Sequence, residues 1–347
     1  MHYVIIGAGK SGVAAARLAI ETGNSALLTE ARPQENYAEL ATELEQLGVL
    51  TEFGGHSPQS LAGAGCIIAS PGVPPASEIL NLALSRGIPV ISELEFGWRH
   101  LPDNPVVAIT GTNGKTTTTA LTAFILNEAG KSAIAAGNIG TPLSALVGKV
   151  ARDTIIVAET SSYQLDRIAD FSPAVAAILN ITPDHLAYHG SFGAYCTAKY
   201  NITRNQSEKD LLILNADDAA ATASAAMSRA RTEYFSMSPV GAGIYCNGTT
   251  LILPDSQQHS EGKLMLYDEL RLPGVHNCHN SMAAALAARA FEVRNENIRD
   301  SLMSFAGVEH RLEAVRRDQS GLAIVGASAR VRSIHGEGGG PLGTVPI

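Results

Sequence analysis

Val106-Val107-Ala108-Ile109-Thr110-Gly111-Thr112-Asn113-Gly114-Lys115-Thr116-Thr117 decides the fold. The first five residues are apolar or β-branched and read as a buried strand. A glycine turn follows, and after Gly-Lys-Thr the run to Leu126 reads as a helix. Strand, glycine turn, Gly-Lys-Thr and helix is the layout of a phosphate-binding loop. Backbone N–H groups close around phosphate oxygens, and the helix N-terminus adds partial positive charge. Lys115 is then expected at the β/γ-phosphates and the Thr116 hydroxyl on Mg²⁺. Only Thr112 and Asn113 separate Gly111 from Gly114-Lys115, a shorter insert than the common pattern has. A plain strand-to-helix turn with a surface lysine is the competing reading, and the flanking strand and helix weigh against it.

Downstream segments supply polar groups at strand ends. Ala136-Gly137-Asn138-Ile139-Gly140 is a turn after a short strand, and Thr154-Ile155-Ile156-Val157-Ala158-Glu159 reads as a buried strand ending in a carboxylate. A carboxylate at a strand tip beside a phosphate loop suits a Mg²⁺ ligand. The run Ala174–Leu179 leads into Asn180-Ile181-Thr182-Pro183-Asp184-His185, so His185 also falls just past a strand. Three such tips in one parallel sheet are expected to converge on one edge. Lys199 sits on an expected helix and, by composition alone, reads as a surface lysine. Residues 244–272 alternate in short runs, as small antiparallel strands do. Asn277 and Asn280 precede an Ala-rich run from Ser281, where they could cap a helix or meet a nucleotide base.

The chain opens with Tyr3-Val4-Ile5-Ile6-Gly7-Ala8-Gly9-Lys10-Ser11-Gly12, again strand, glycine turn and helix. Glu30 ends the next strand, where an acidic group can accept from a ribose. Either a dinucleotide or the uridine diphosphate of a sugar nucleotide fits this Rossmann-like pattern. Cys66–Ala69 is a further buried strand, running into Ser70-Pro71-Gly72-Val73. The whole reads as an α/β protein: a Rossmann-like region over 1–93, a mostly parallel P-loop-type ATPase region over 94–306, and a stub over 307–347.

The 347 residues carry a formal net charge of −8, which disfavours a nucleic-acid surface. The four cysteines are scattered with no C-x-x-C pair, and read as reduced thiols rather than a zinc site. No signal peptide and no membrane-length apolar run is legible. A cytoplasmic monomer without nucleic-acid or membrane partners is expected.

Taken in order, several motifs resemble the Mur ligases, the ATP-dependent amino-acid-adding enzymes of peptidoglycan precursor synthesis. They are Gly-Ala-Gly-Lys-Ser-Gly at 7–12, Ser70-Pro71-Gly72-Val73, Gly-Thr-Asn-Gly-Lys-Thr-Thr at 111–117, Gly137-Asn138-Ile139-Gly140 and Glu159-Thr160-Ser161-Ser162-Tyr163-Gln164-Leu165. Leu179–His185, Ala198-Lys199, His276-Asn277 and His310-Arg311-Leu312-Glu313 complete the set. The resemblance implies that Gly111, Thr112, Asn113, Gly114, Lys115, Thr116 and Thr117, with Asn277 and Arg311, hold ATP. It implies two Mg²⁺ sites, served by Thr116, Glu159, His185 and a carbamylated Lys199, with Lys115, His185 and Lys199 as the catalytic set. Gly9, Lys10, Ser11, Glu30, Arg32, Ser70 and Gly72 are implied to hold the uridine diphosphate, and Asn138 and His185 the muramoyl part. The implied reaction joins D-glutamate to UDP-N-acetylmuramoyl-L-alanine through an acyl phosphate.

The likeness stops near Arg316, where the family continues with Asn-Asp-Ser-Lys-Ala-Thr. Here Gly321–Arg330 and a glycine-rich tail stand instead. The expectation is a C-terminal amino-acid-binding domain truncated or replaced after a frame disruption, which would leave the chain inactive as it stands. Ala187-Tyr188 also replaces the family's usual charged pair. Another ligase of the superfamily, including the folate-extending type, and a nucleotide-binding protein without turnover are the alternatives.

Overall fold

The computed structural model describes residues 1–254 and 262–307, together with the backbone of 313–317 and 323–326. Two compact units emerge, Met1–Ala306 and Gly307–Ile347.

The first unit contains two sheets. β1 (His2–Ile6), β2 (Ser25–Glu30), β3 (Leu50–Phe53), β4 (Cys66–Ala69) and β5 (Val90–Ser92) form a parallel sheet of order β3-β2-β1-β4-β5. Val4, Ile5, Ile6, Ile67 and Ile68 are buried, as continuous apolar strands covered on both faces should be. The second sheet holds β6 (Val106–Thr110), β7 (Ala133–Gly137), β8 (Ile155–Glu159), β9 (Val175–Ile178), β10 (Leu211–Asn215), β11 (Arg231–Ser236), β12 (Gly243–Cys246), β13 (Thr250–Ile252) and β14 (Lys263–Leu266). Its order is β14-β13-β12-β11-β10-β9-β6-β8-β7. Pairing is parallel from β7 through β12, and antiparallel from β12 to β14, where short alternating runs stand in the sequence. β6 lies between β9 and β8, so the ends of these three strands stand side by side.

The helix Glu93–Arg99 runs directly from β5 and ties the two sheets together. Ser92 accepts from the Glu95 N–H as its N-cap. The wholly buried Glu95 carboxylate accepts from the N–H groups of Ala169, Asp170 and Phe171, at 2.9–3.2 Å, and from Arg99 Nε at 2.7 Å. Glu93, also buried, accepts from Ser144 N–H at 2.7 Å. Burial pushes its carboxyl up to about 7, against the pull of the Ser144 bonds.

The second unit shows an antiparallel pair, Glu313–Arg317 with Ala323–Gly326. Among the described residues no helix is long and apolar enough to cross a membrane. All four cysteines are free and buried.

Glu95→Ala removes the acceptor of three backbone N–H groups, that of Phe171 buried, and is expected to cost about 3 kcal/mol of stability in a urea titration, with Glu95→Gln costing less. Equal midpoints for the alanine variant and wild type would contradict the bridging role.

Candidate functional site

The loop between β6 and the helix Lys115–Glu128 is braced by the segment after β9. Thr112 N–H donates to the Asn180 carbonyl at 2.9 Å. The Asn180 side chain grips Asn113 at both backbone groups, accepting its N–H at 2.8 Å and donating to its carbonyl at 3.0 Å. Thr112 Oγ1 reaches the Thr182 carbonyl and lies 3.2 Å from Tyr195 Oη. The amides of Thr112 and Asn113 are therefore committed to bracing. The anion-binding capacity lies in the opening turn of the helix, whose N–H groups have no helical acceptors. Gly114 has φ +84°, and a Cβ there would meet Asn280 Oδ1 at 2.2 Å, so only glycine lets this turn pass so close.

Lys115 Nζ donates to the carbonyls of Gly111 and Thr112, 2.9 Å each, and folds over its own loop. Thr116 Oγ1 donates to Glu159 Oε2 at 2.7 Å, and Asn138 Nδ2 donates to Glu159 Oε1 at 3.2 Å. The structure thus brings together Lys115, Thr116, Asn138 and Glu159. Thr117 follows on the same helix.

Lys199 departs from the surface lysine of the sequence reading. It is 2% exposed, on the helix Phe192–Tyr200, and its Nζ donates to the Gly111 carbonyl at 2.9 Å. Composition cannot reveal this, because a helix face becomes buried only once it packs. Nζ also lies 4.8 Å from the centre of the Tyr195 ring. Burial, reinforced by the Lys115 charge, lowers its amine to about 7. His185 takes the left-handed conformation, φ 52°, with its ring 5.1 Å from Tyr163 and 6.1 Å from Tyr195. Tyr163, Tyr188 and His189 complete a cluster of rings beside it.

Asn277 lies inside the helix Val275–Arg289, which starts earlier than its alanine run suggests. Gly274 occupies the N-cap position, and Asn277 Nδ2 donates back to the Pro273 carbonyl at 2.8 Å. Neither Asn277 nor Asn280 is the cap. Asn280 is the one packed on Gly114, a contact that its sequence position could not disclose. Arg311 lies outside the described residues.

A second site lies at the ends of β1, β2 and β4, where a cavity of about 380 Å³ gathers Gly9, Lys10, Ser11, Glu30, Arg32, Ser70 and Gly72. His56 and Ser77 also line it, two residues without a sequence signal of their own. Gly12 is required here, since a Cβ would meet the Gly7 carbonyl oxygen at 2.0 Å. Glu30 does not stand open as a ribose acceptor: it accepts from Ala8 N–H at 2.8 Å and Arg32 N–H at 3.1 Å, and pairs with Arg32 Nε at 3.4 Å. Burial opposes its charge, but the two N–H groups and the guanidinium outweigh it and hold the carboxyl below its usual range. Arg167, next to the ring cluster, donates to the Val73 carbonyl at 3.0 Å and links the two sites.

Among the described residues no three His, Cys, Asp or Glu side chains form a ready-made metal site. Thr116 and Glu159 do offer the hard oxygen donors that Mg²⁺ takes. An ammonium at Lys199 repels a cation, whereas a carbamate there would not.

Two glycine turns, each joining a parallel strand to a helix in one of two sheets, define a class of α/β protein with the layout of nucleotide binders. Comparison makes the class specific: residues 109–288 match the Mur ligase middle domain and residues 1–92 the MurD-like N-terminal domain of Mur ligases. The chain belongs to the Mur ligase family. It is 45% identical over 325 residues to the UDP-N-acetylmuramoylalanine–D-glutamate ligase of Salinibacter ruber, covering 90% of this chain and 69% of that one. The same-named ligase of Pelotomaculum thermopropionicum is 40% identical, with 90% and 68% covered. Among solved structures, the UDP-N-acetylmuramate:L-alanyl-γ-D-glutamyl-meso-diaminopimelate ligase from Neisseria meningitides aligns with TM-score 0.61 at 21% identity, over 89% of this chain and 99% of that one. The UDP-N-acetylmuramate–alanine ligase of Thermotoga maritima aligns with TM-score 0.55 at 21% identity, over 95% and 74%. These two attest the fold.

The Lys199 amine is expected to titrate near 7 by NMR of its ε-carbon. Its folded value is depressed, so between about 7 and the ordinary lysine value the unfolded chain binds more protons, and stability rises with pH across that window. An ordinary lysine midpoint would contradict the burial argument.

Proposed function

We propose that this chain is the cytoplasmic ligase that joins D-glutamate to UDP-N-acetylmuramoyl-L-alanine at the expense of ATP. The observation that carries the reading is the Thr116–Glu159 hydrogen bond at the mouth of the Gly111–Thr116 loop, which sets a hydroxyl and a carboxylate beside a phosphate cradle. The names of the relatives support the choice of substrates. Residues 1–93 take the uridine diphosphate, 94–306 take ATP, and 307–347 begin the region for the incoming amino acid.

The reaction runs in two steps. The L-alanyl carboxylate oxygen attacks the γ-phosphorus of ATP, the bond to the β-phosphate oxygen breaks, and ADP leaves an acyl phosphate. The D-glutamate amine then attacks the acyl carbon, loses a proton, and inorganic phosphate departs as the amide forms. The opening turn of the Lys115–Glu128 helix directs N–H groups at the phosphates. Lys115, folded over the loop, swings its ammonium to the transferring group and neutralises charge there. Asn138 and His185 border the muramoyl end, and Asn277 the nucleoside end of ATP.

Thr116 and Glu159 would hold one Mg²⁺, and His185 with a carbamylated Lys199 a second. Bound Mg²⁺ supplies charge neutralisation and alignment of the phosphate oxygens. A lysine amine lowered to about 7 has an appreciable neutral fraction at neutral pH, and its lone pair can attack CO₂ with loss of a proton. The product carbamate carries the anionic oxygens that a second cation requires.

Phosphate release from ATP with UDP-N-acetylmuramoyl-L-alanine is expected to depend on D-glutamate. Lys115→Ala should lower it at least about 100-fold while binding of the uridine nucleotide persists. Binding of ATP and UDP-sugar without D-glutamate-dependent release would leave a nucleotide-binding protein without turnover. Separately, ¹³C-bicarbonate should give a carbamate resonance that Lys199→Arg lacks; its absence from the wild type would remove the carbamate from the mechanism.

A further inference from the structure

The cavity at the ends of β1, β2 and β4 is also lined by a histidine, His56. His56 follows β3, and its Nδ1 lies 2.8 Å from Thr29 Oγ1. Thr29 is wholly buried, and its hydroxyl also lies 2.7 Å from Glu52 Oε2 and 3.2 Å from the Gly55 carbonyl oxygen. A threonine hydroxyl has one proton to donate. The Gly55 carbonyl can only accept, and so can an ionised Glu52. Burial opposes the Glu52 charge, but bonds from Ser57 and Thr29, with His56 nearby, outweigh it and keep the carboxyl below its usual range.

The Thr29 proton therefore goes to one of those two oxygens, and the hydrogen between Thr29 and His56 must come from Nδ1. In the neutral imidazole this leaves Nε2 as an acceptor. Among the described residues Nε2 has no hydrogen-bond partner, and it is not a sealed buried atom, so a ligand in the cavity can reach it.

The direction of the ligand follows from the fold. The Gly7–Gly12 turn and the helix after it suit the diphosphate. Arg167 ties Val73, beyond β4, to the segment that carries the ring cluster, so the sugar end leaves over β4 toward the Lys115 loop. The nucleoside must then extend the other way, across β2 toward β3, because the strand order is β3-β2-β1-β4. At that end both Glu30 oxygens already accept backbone N–H groups, and His56 presents an uncommitted acceptor.

We propose that His56 Nε2 accepts the imide N3–H of the uracil ring, making His56 the residue that selects uracil over cytosine. Cytosine N3 carries a lone pair and meets an acceptor with an acceptor. The inference rests on the reading of this cavity as the uridine diphosphate site. It extends that reading from the phosphates to the base.

The test is calorimetric titration of the intact chain with UDP, CDP and N3-methyl-UDP. Wild type should bind UDP at least about tenfold tighter than either analogue, since a site built around one hydrogen bond rejects ligands that lack it. His56→Phe should bring the three affinities together with ATP binding unchanged, and His56→Gln, which retains an acceptor oxygen, should restore part of the preference. Equal binding of UDP and N3-methyl-UDP by wild type, or full preference in both variants, would overturn the role of His56. No binding of UDP at all by wild type would instead overturn the reading of the cavity, and this inference with it.

Discussion

The placement of β6 between β9 and β8 is the constraint on which the rest depends. Parallel pairing brings Gly111, Glu159 and Asn180 to one edge of the sheet, each just at or past a strand end. Crossover connections make the sheet parallel, and a parallel sheet delivers all its strand ends to the same side. Asn180 can then brace the glycine loop by two side-chain hydrogen bonds, and Thr116 can meet Glu159. A shift of one residue in either pairing would turn these side chains to the other face of the sheet.

A second constraint is the short helix Glu93–Arg99. Its carboxylates are buried, a costly arrangement unless each is hydrogen-bonded. Glu95 is satisfied by a turn of backbone N–H groups, whereas Glu93 accepts one N–H at Oε1 and its buried Oε2 has no partner among the described residues. These bonds point from the chain of the first sheet into the frame of the second. They are directional in a way that apolar contact is not, so they orient the cavity at the ends of β1, β2 and β4 relative to the Gly111 loop. Arg167, in the chain of the second sheet, makes a similar tie onto Val73.

The site concentrates polar groups that the core would otherwise exclude. Lys199 gives up hydration to lie against the Gly111 carbonyl and the Tyr195 ring, and its lowered amine is the consequence. Burial of this kind destabilises the charged form and makes the group chemically available at neutral pH. His185, held with positive φ, is placed among aromatic rings by a backbone conformation that non-glycine residues adopt at some cost.

Local pattern carried much of this architecture. Apolar runs ending in glycine turns mark β1 and β6, and the residues around both turns are legible because phosphate chemistry demands that backbone at that spacing. The likeness to the Mur ligases is likewise written in motif order. What the sequence could not decide were facts of packing between distant segments. Lys199 looks exposed until its helix lies on Thr110 and Gly111. Glu30 looks free until Ala8 and Arg32 bring their N–H groups to it. Asn280 becomes a partner of Gly114, and His56 a neighbour of the buried Thr29 hydroxyl, only through contacts across the fold. Sequence by itself determined which chemistries are present and which backbone turns they require, since those depend on neighbours along the chain. Tertiary structure alone decided burial, hydrogen-bond partners and proton affinity, since those depend on neighbours in space.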